Sequence, residues 1–171
     1  GVDYRSGYLV QNNGSLNLLG NSTGTTTGGG VLLGNNLTQN NGSINITGIS
    51  NSTNGVTLQG NITQNNGALN ITGTTYNPNP VAAIGVSMRL GSLTQNNGTI
   101  NITGNGNQGY GIIQGEGFVI TQNNGNLSMT GLSNASSATA LGYIIQNNGS
   151  MNITSTGNLS TGMDANYNIT Q

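Results

Sequence analysis

The sequence predicts an all-β protein: a right-handed-type parallel β-helix, or β-solenoid, with three short strands per coil and about six coils of 24–31 residues. Three observations predict it. The tetrapeptide QNNG starts at Gln11, Gln39, Gln64, Gln95, Gln122 and Gln146, at intervals of 24 to 31 residues, and a spacing of that size marks stacked repeats. Apolar and polar residues alternate within each copy. In LTQNNGSINITG, residues 37–48, the expected inward set is Leu37, Gln39, Ile44 and Ile46, and Thr38, Ser43, Asn45 and Thr47 face outward. Period two is the strand signature. No segment carries a convincing helical period, and abundant Gly, Asn and Thr disfavours helix.

Each copy follows one plan. A short lead-in strand such as GVTLQG (55–60) is followed by ITQNNG, then by ALNITG, then by a stretch of variable length. The chain reads as a single domain, 1–171, with coils at 1–29, 30–54, 55–84, 85–110, 111–137 and 138–161, and with 162–171 starting a further coil. Stacking like residues over like gives two aliphatic columns. One holds Leu9, Leu37, Ile62, Leu93, Ile120 and Ile144, and the other Leu18, Ile46, Ile71, Ile102, Met129 and Ile153. A chain poor in large apolar residues can fold this way, because a few per coil become continuous along the axis.

The NNG segment reads as a corner, since Asn and Gly tolerate left-handed backbone. The second Asn of each copy (Asn13, Asn41, Asn66, Asn97, Asn124 and Asn148) is expected to lie over its counterpart at about 4.8 Å. Stacked amides at that spacing can form a hydrogen-bonded ladder. Length varies only after the "TG", at 21–29, 49–54, 74–84 and 105–110, so those residues are expected to bulge from one corner. The longest bulge holds Pro78 and Pro80, which a central strand would reject.

Composition removes whole classes of function. Five side chains are charged, namely Asp3, Arg5, Arg89, Glu116 and Asp164, and there is no Lys, His or Cys. Disulfides and thiolate or imidazole metal sites are therefore ruled out. A net charge of -1 offers no basic surface for nucleic acid, and no apolar run approaches the roughly 20 residues that cross a bilayer. The chain opens with Gly1 rather than Met and shows no signal peptide, so a processed protein or part of a longer one is expected. Neither end carries a recognisable cap, charge cluster or proline to cover a strand edge, which predicts coil ends that seek further coils.

The degenerate coil NNG-x-[LI]-N-[LI]-TG resembles the β-helical repeats of secreted bacterial adhesins, haemagglutinin-type exoproteins and autotransporter passengers. The resemblance covers the whole chain in repeat style, without a recognisable secretion domain. It implies an extracellular or cell-surface protein serving as a stalk, adhesin or surface fibre.

Motifs that could carry chemistry are weak. GNGNQG, 104–109, matches a dinucleotide-loop pattern but is followed by YGIIQGEG, which is not helical. Glycoside hydrolysis needs two carboxyls within about 5 to 9.5 Å, whereas Asp3, Glu116 and Asp164 fall in distant coils. Arg5 and Arg89 each precede their Gln by six residues and read as solvated surface groups three coils apart. The sequons at Asn45 and Asn70 are spelled by the repeat itself, whereas Asn51 and Asn134 fall in loops.

Tyr76, Tyr110 and Tyr143 are candidate surface contacts; Tyr8 and Tyr167 also fall near bulges or outward positions. The outward Thr file (Thr47, Thr72, Thr103, Thr130, Thr154) beside Asn45, Asn70, Asn101 and Asn152 raises ice binding as an alternative. The expectation is a non-enzymatic fibre or adhesin-stalk unit without cofactor or metal. Its partners would be copies of itself, joined head to tail, with host or matrix glycans as a further class. Neither nucleic acid nor membrane insertion is expected.

Overall fold

Eighteen strands, and no helix among the described residues, make up the computed structural model of the chain, which describes residues 1–24, 29–77, 83–159, 162–165 and 169–170. The first coil contains β1 (Val2–Tyr4), β2 (Leu9–Gln11) and β3 (Ser15–Ser22); the second contains β4 (Val31–Leu33), β5 (Leu37–Gln39) and β6 (Ser43–Ser50). The third contains β7 (Val56–Leu58), β8 (Asn61–Gln64) and β9 (Ala68–Thr75). In the fourth and fifth, the first two strands merge, giving β10 (Ile84–Gln95) with β11 (Thr99–Asn105), and β12 (Tyr110–Gln122) with β13 (Asn126–Ser133). The sixth contains β14 (Thr139–Leu141), β15 (Tyr143–Gln146) and β16 (Ser150–Gly157); β17 (Met163–Ala165) and β18 (Ile169–Thr170) follow.

All the pairings are parallel, and each joins a strand to its counterpart one coil away. The third face is a six-stranded sheet, β16-β13-β11-β9-β6-β3, in unbroken register. The first and second faces join into one twelve-stranded sheet because β10 and β12 run through the corner between them. This is a parallel β-solenoid of about six turns with about three strands per coil.

The core is a set of axial files. Val31, Val56, Val86 and Ile112 form one, Leu37, Ile62, Leu93, Ile120 and Ile144 another, and both are 0–1% exposed. On the third face Ile44, Leu69, Ile100 and Leu127 stack beside Ile46, Ile71, Ile102 and Met129. Leu9 and Leu18 in the first coil and Ile153 in the sixth continue these files but are only partly buried.

Glycines close the interior corner between the third face and the first. A Cβ on Gly48 would lie 2.0 Å from the Gly55 carbonyl oxygen, and one on Gly73 2.0 Å from that of Gly85. The "TG" and the "GV" that opens the next coil are therefore backbone packed on backbone. For this reason the third strands extend past the "TG": Asn21, Ile49, Thr74 and Asn105 remain in strand, and the variable stretches begin later than the sequence suggests. Pro78, Pro80 and Tyr167 lie outside the described residues.

Candidate functional site: stacked amide files and open coil ends

The amide ladder is continuous, but it runs one residue earlier than the sequence suggests. Asn40 donates through Nδ2 to Asn12 Oδ1 at 2.7 Å, Asn65 to Asn40 at 2.7 Å and Asn96 to Asn65 at 2.8 Å. Asn123 donates to Asn96 at 2.8 Å and Asn147 to Asn123 at 2.7 Å. These are the first Asn residues of each pair. In the expected file (Asn13, Asn41, Asn66, Asn97, Asn124, Asn148) one link exists among the described residues, Asn66 to Asn41 at 3.1 Å, and every member is exposed.

Backbone geometry explains the displacement. The left-handed conformation falls on the glycine alone, with φ of 83° to 91° at Gly14, Gly42, Gly67, Gly98, Gly125 and Gly149. The Asn before it is thus turned outward at the tip of the corner, while the first Asn sits at the strand end, where counterparts stack.

A second, buried amide file lies just inside. Gln64 Nε2 donates to the Gly67 carbonyl in its own coil at 3.0 Å and to the Thr99 carbonyl in the next at 2.9 Å. Gln11, Gln39, Gln95 and Gln122 repeat this bridge. Each clamp holds a corner and fixes the register of two coils. The Oε1 atoms of the same five glutamines are buried without a protein partner, which offsets part of what the two donated bonds contribute. A third file, Asn17, Asn45, Asn70 and Asn101, is hydrogen-bonded on the outer surface of the third face until Ser128 interrupts it. The sequons at Asn45 and Asn70 therefore have their Nδ2 groups committed to a neighbour.

The remaining sequence-predicted groups are not brought together. Asp3 and Asp164 stand at opposite ends of one outward file on the first face, seven coils long, and Glu116 lies at the corner of the fifth coil. At about 4.8 Å per coil, the two aspartates are far beyond the reach of paired carboxylate chemistry. The segment 104–109 is a strand end and a turn, with Gly109 N–H donating to the Gly106 carbonyl and Asn107 at φ 48°; strand β12 follows, so no helix N-terminus is available for a pyrophosphate. Tyr76 and Tyr143 are exposed and Tyr110 is half-buried; Tyr76 and Tyr110 flank the corner between third and first faces, and Tyr143 sits at the corner between first and second. Arg5 and Arg89, read from sequence as separate, line one depression on the first face.

Two buried groups escape the repeat pattern altogether. Gln114 occupies the register position held by Met88 in the previous coil, donating to the Phe118 and Tyr143 carbonyls at 2.9 and 2.7 Å and accepting from Gly142 N–H at 3.2 Å. Phe118, the single Phe of the chain, is fully buried opposite Gly91. The only sequence signal was a lone Gln and a lone Phe where neighbouring coils carry other residues.

The outermost strands of the third face complete the geometry. Leu16 and Leu18 of β3 are half-buried, whereas Ile44 and Ile46 one coil inward are 0% and 1% exposed. At the other end of the third face, Met151 and Ile153 are likewise only partly covered. Fold and site together define a parallel β-solenoid whose six-stranded sheet runs from β3 to β16 among the described residues. No family model, curated protein or solved structure matches this chain.

Proposed function

We propose that the chain is a mechanical, non-enzymatic unit of an extracellular or cell-surface fibre or adhesin stalk, extending head to tail by stacking coil on coil. The observation that carries this reading is the continuation of apolar files to both end faces, where Leu16, Leu18, Met151 and Ile153 remain half-covered. A further coil of the same kind is the partner that matches such a face side chain for side chain.

Polarity supports the same arrangement. In the first-Asn ladder every Nδ2 points back toward the preceding coil's Oδ1. Among the described residues, that leaves a donor on Asn12 at one end and an acceptor on Asn147 at the other. Such a file continues when stacked head to tail and meets like with like when reversed. Nor does charge oppose approach, since the described end coils carry only Asp3, Arg5 and Asp164, and the first two are paired with each other.

Electron microscopy and fibre diffraction of the purified protein at high concentration test the reading. Filaments one solenoid wide with an axial repeat near ~4.8 Å are the expected outcome. Dispersed monomers at high concentration would overturn it. A second reading, ice binding, is favoured by the in-register file of Thr47, Thr72, Thr103, Thr130 and Thr154 on the third face, although the exposed Leu19 takes the Thr place in the first coil. Thermal hysteresis of the dissolved protein separates the two.

A further inference from the structure

The chain has two cations, and both line the same depression, about 380 Å³ in volume, on the first face. Register puts them there. Tyr4, Leu33, Leu58 and Met88 stack in one file, so the residues that follow them, Arg5, Gly34, Gln59 and Arg89, occupy one corner in successive coils. Gly34 leaves that corner open beside Arg5, whose side chain leans across it: a Cβ on Gly34 would meet Arg5 Cγ at 3.3 Å. The Arg5 guanidinium is oriented by Asp3, with Nε donating to Oδ1 at 2.9 Å. Arg89 is exposed, and Gly115 and Glu116 of the next coil lie across from it in register. Between the two, Leu32 and Thr57 lie in the outward file and Gln59 at the rim.

We infer that this depression binds a carboxylate-bearing saccharide. Within the lining two guanidiniums stand beside one carboxylate, Asp3, and a guanidinium fork matches a carboxylate in shape as well as charge. The rest of the lining is the hydroxyls of Thr53 and Thr57, the Gln59 amide, the aliphatic side chains of Val2 and Leu32, and glycine backbone, which suits a hydroxyl-rich ring with an apolar C–H face. A phosphate backbone is a poor fit, because such affinity grows with the number of phosphates neutralised and only two cations exist. The two remaining charged side chains are acidic: Glu116 lies outside the lining, across from Arg89 in the next coil, and Asp164 stands at the far end of the first-face file. This site does not depend on stacking, and its occupancy can be read without reference to filaments.

Calorimetric titration with a tetragalacturonate, beside maltotetraose and tetraglutamate, tests it on the wild-type chain and on Arg89→Gln, Arg5→Gln and Asp164→Asn. The expected result is that tetragalacturonate binds the wild type, that either arginine variant weakens it about tenfold or more, and that Asp164→Asn leaves it unchanged. Circular dichroism identical to wild type shows that the exposed Arg89→Gln is folded. Absence of tetragalacturonate binding, equal affinity in Arg89→Gln, or equal binding of maltotetraose overturns the assignment. Tetraglutamate binding as tightly overturns the saccharide class. Assembly is scored separately, by microscopy of the same samples, so each reading can fail alone.

Discussion

Gly48 and Gly55 face each other across the interior corner so closely that a Cβ on Gly48 would lie 2.0 Å from the Gly55 carbonyl oxygen. The corner is backbone against backbone, and neither carbonyl nor strand can yield without disturbing the coil above. Gly48→Ala is therefore expected to destabilise the chain by about 3 kcal/mol or more, at the upper end of overpacking costs. Gly14→Ala is the comparison: its φ of 83° strains an alanine, but no atom lies within 4 Å of the new Cβ. That strain alone costs about 1–2 kcal/mol. Denaturant midpoints of the two variants measure the order, and a larger loss at Gly14 would contradict the packing described for this corner.

The two Asn of one corner should behave differently. Asn96 donates to Asn65 and accepts from Asn123, each at 2.8 Å, whereas Asn97 is exposed with no side-chain partner among the described residues. Asn96→Ala is expected to cost about 1–3 kcal/mol, two net hydrogen bonds' worth, and Asn97→Ala less than about 0.5 kcal/mol. Equal losses in chemical unfolding would mean that the ladder runs through the outer residue after all.

Gln64 tests the inner clamp. Truncation to Ala leaves a cavity and removes the donor to Gly67 and Thr99, and should cost about 2–4 kcal/mol. Gln64→Met keeps the volume and loses the same two donated bonds, but it also removes an Oε1 that has no protein partner, so its cost should be about 1–2 kcal/mol, below that of alanine. Thermal unfolding of both variants decides it; a methionine as damaging as the alanine would show that the bridge matters more than the filled space.

The proposed head-to-tail stacking should be open to a block at one residue. Leu18 is half-buried on the end strand β3, and a charge at a strand edge is how proteins prevent edge pairing. Leu18→Lys should abolish filaments seen by electron microscopy while leaving the strand spectrum intact, since a lysine can lead its charge out to solvent. Wild-type filaments should persist from about 50 mM to about 1 M salt, because apolar files and backbone pairing are not screened as ion pairs are. Filaments unchanged in Leu18→Lys would place the contact elsewhere.

Much of the architecture was legible because the repeat writes it many times. Ile46, Ile71, Ile102 and Met129 share one phase in four successive copies, and such agreement leaves little choice of which face turns inward. The corner was less legible. Both Asn of NNG are equivalent as letters, and only the glycine φ decides which one meets its counterpart and which points to solvent. Single departures from the repeat, Gln114 and Phe118, gave no periodic signal at all.

By itself the sequence determined the coil: its length, its alternation, its stacking of like on like, and the absence of thiol and imidazole side chains. Those follow from local backbone preference and from the types of side chain present. Only the tertiary structure decided what crosses coils. It chose the first Asn over the second, pressed Gly48 against Gly55, and brought Arg5 and Arg89 to one depression from residues 84 positions apart. Such contacts depend on axial register and corner angle, which arise when coils are laid over one another and are written in no single copy.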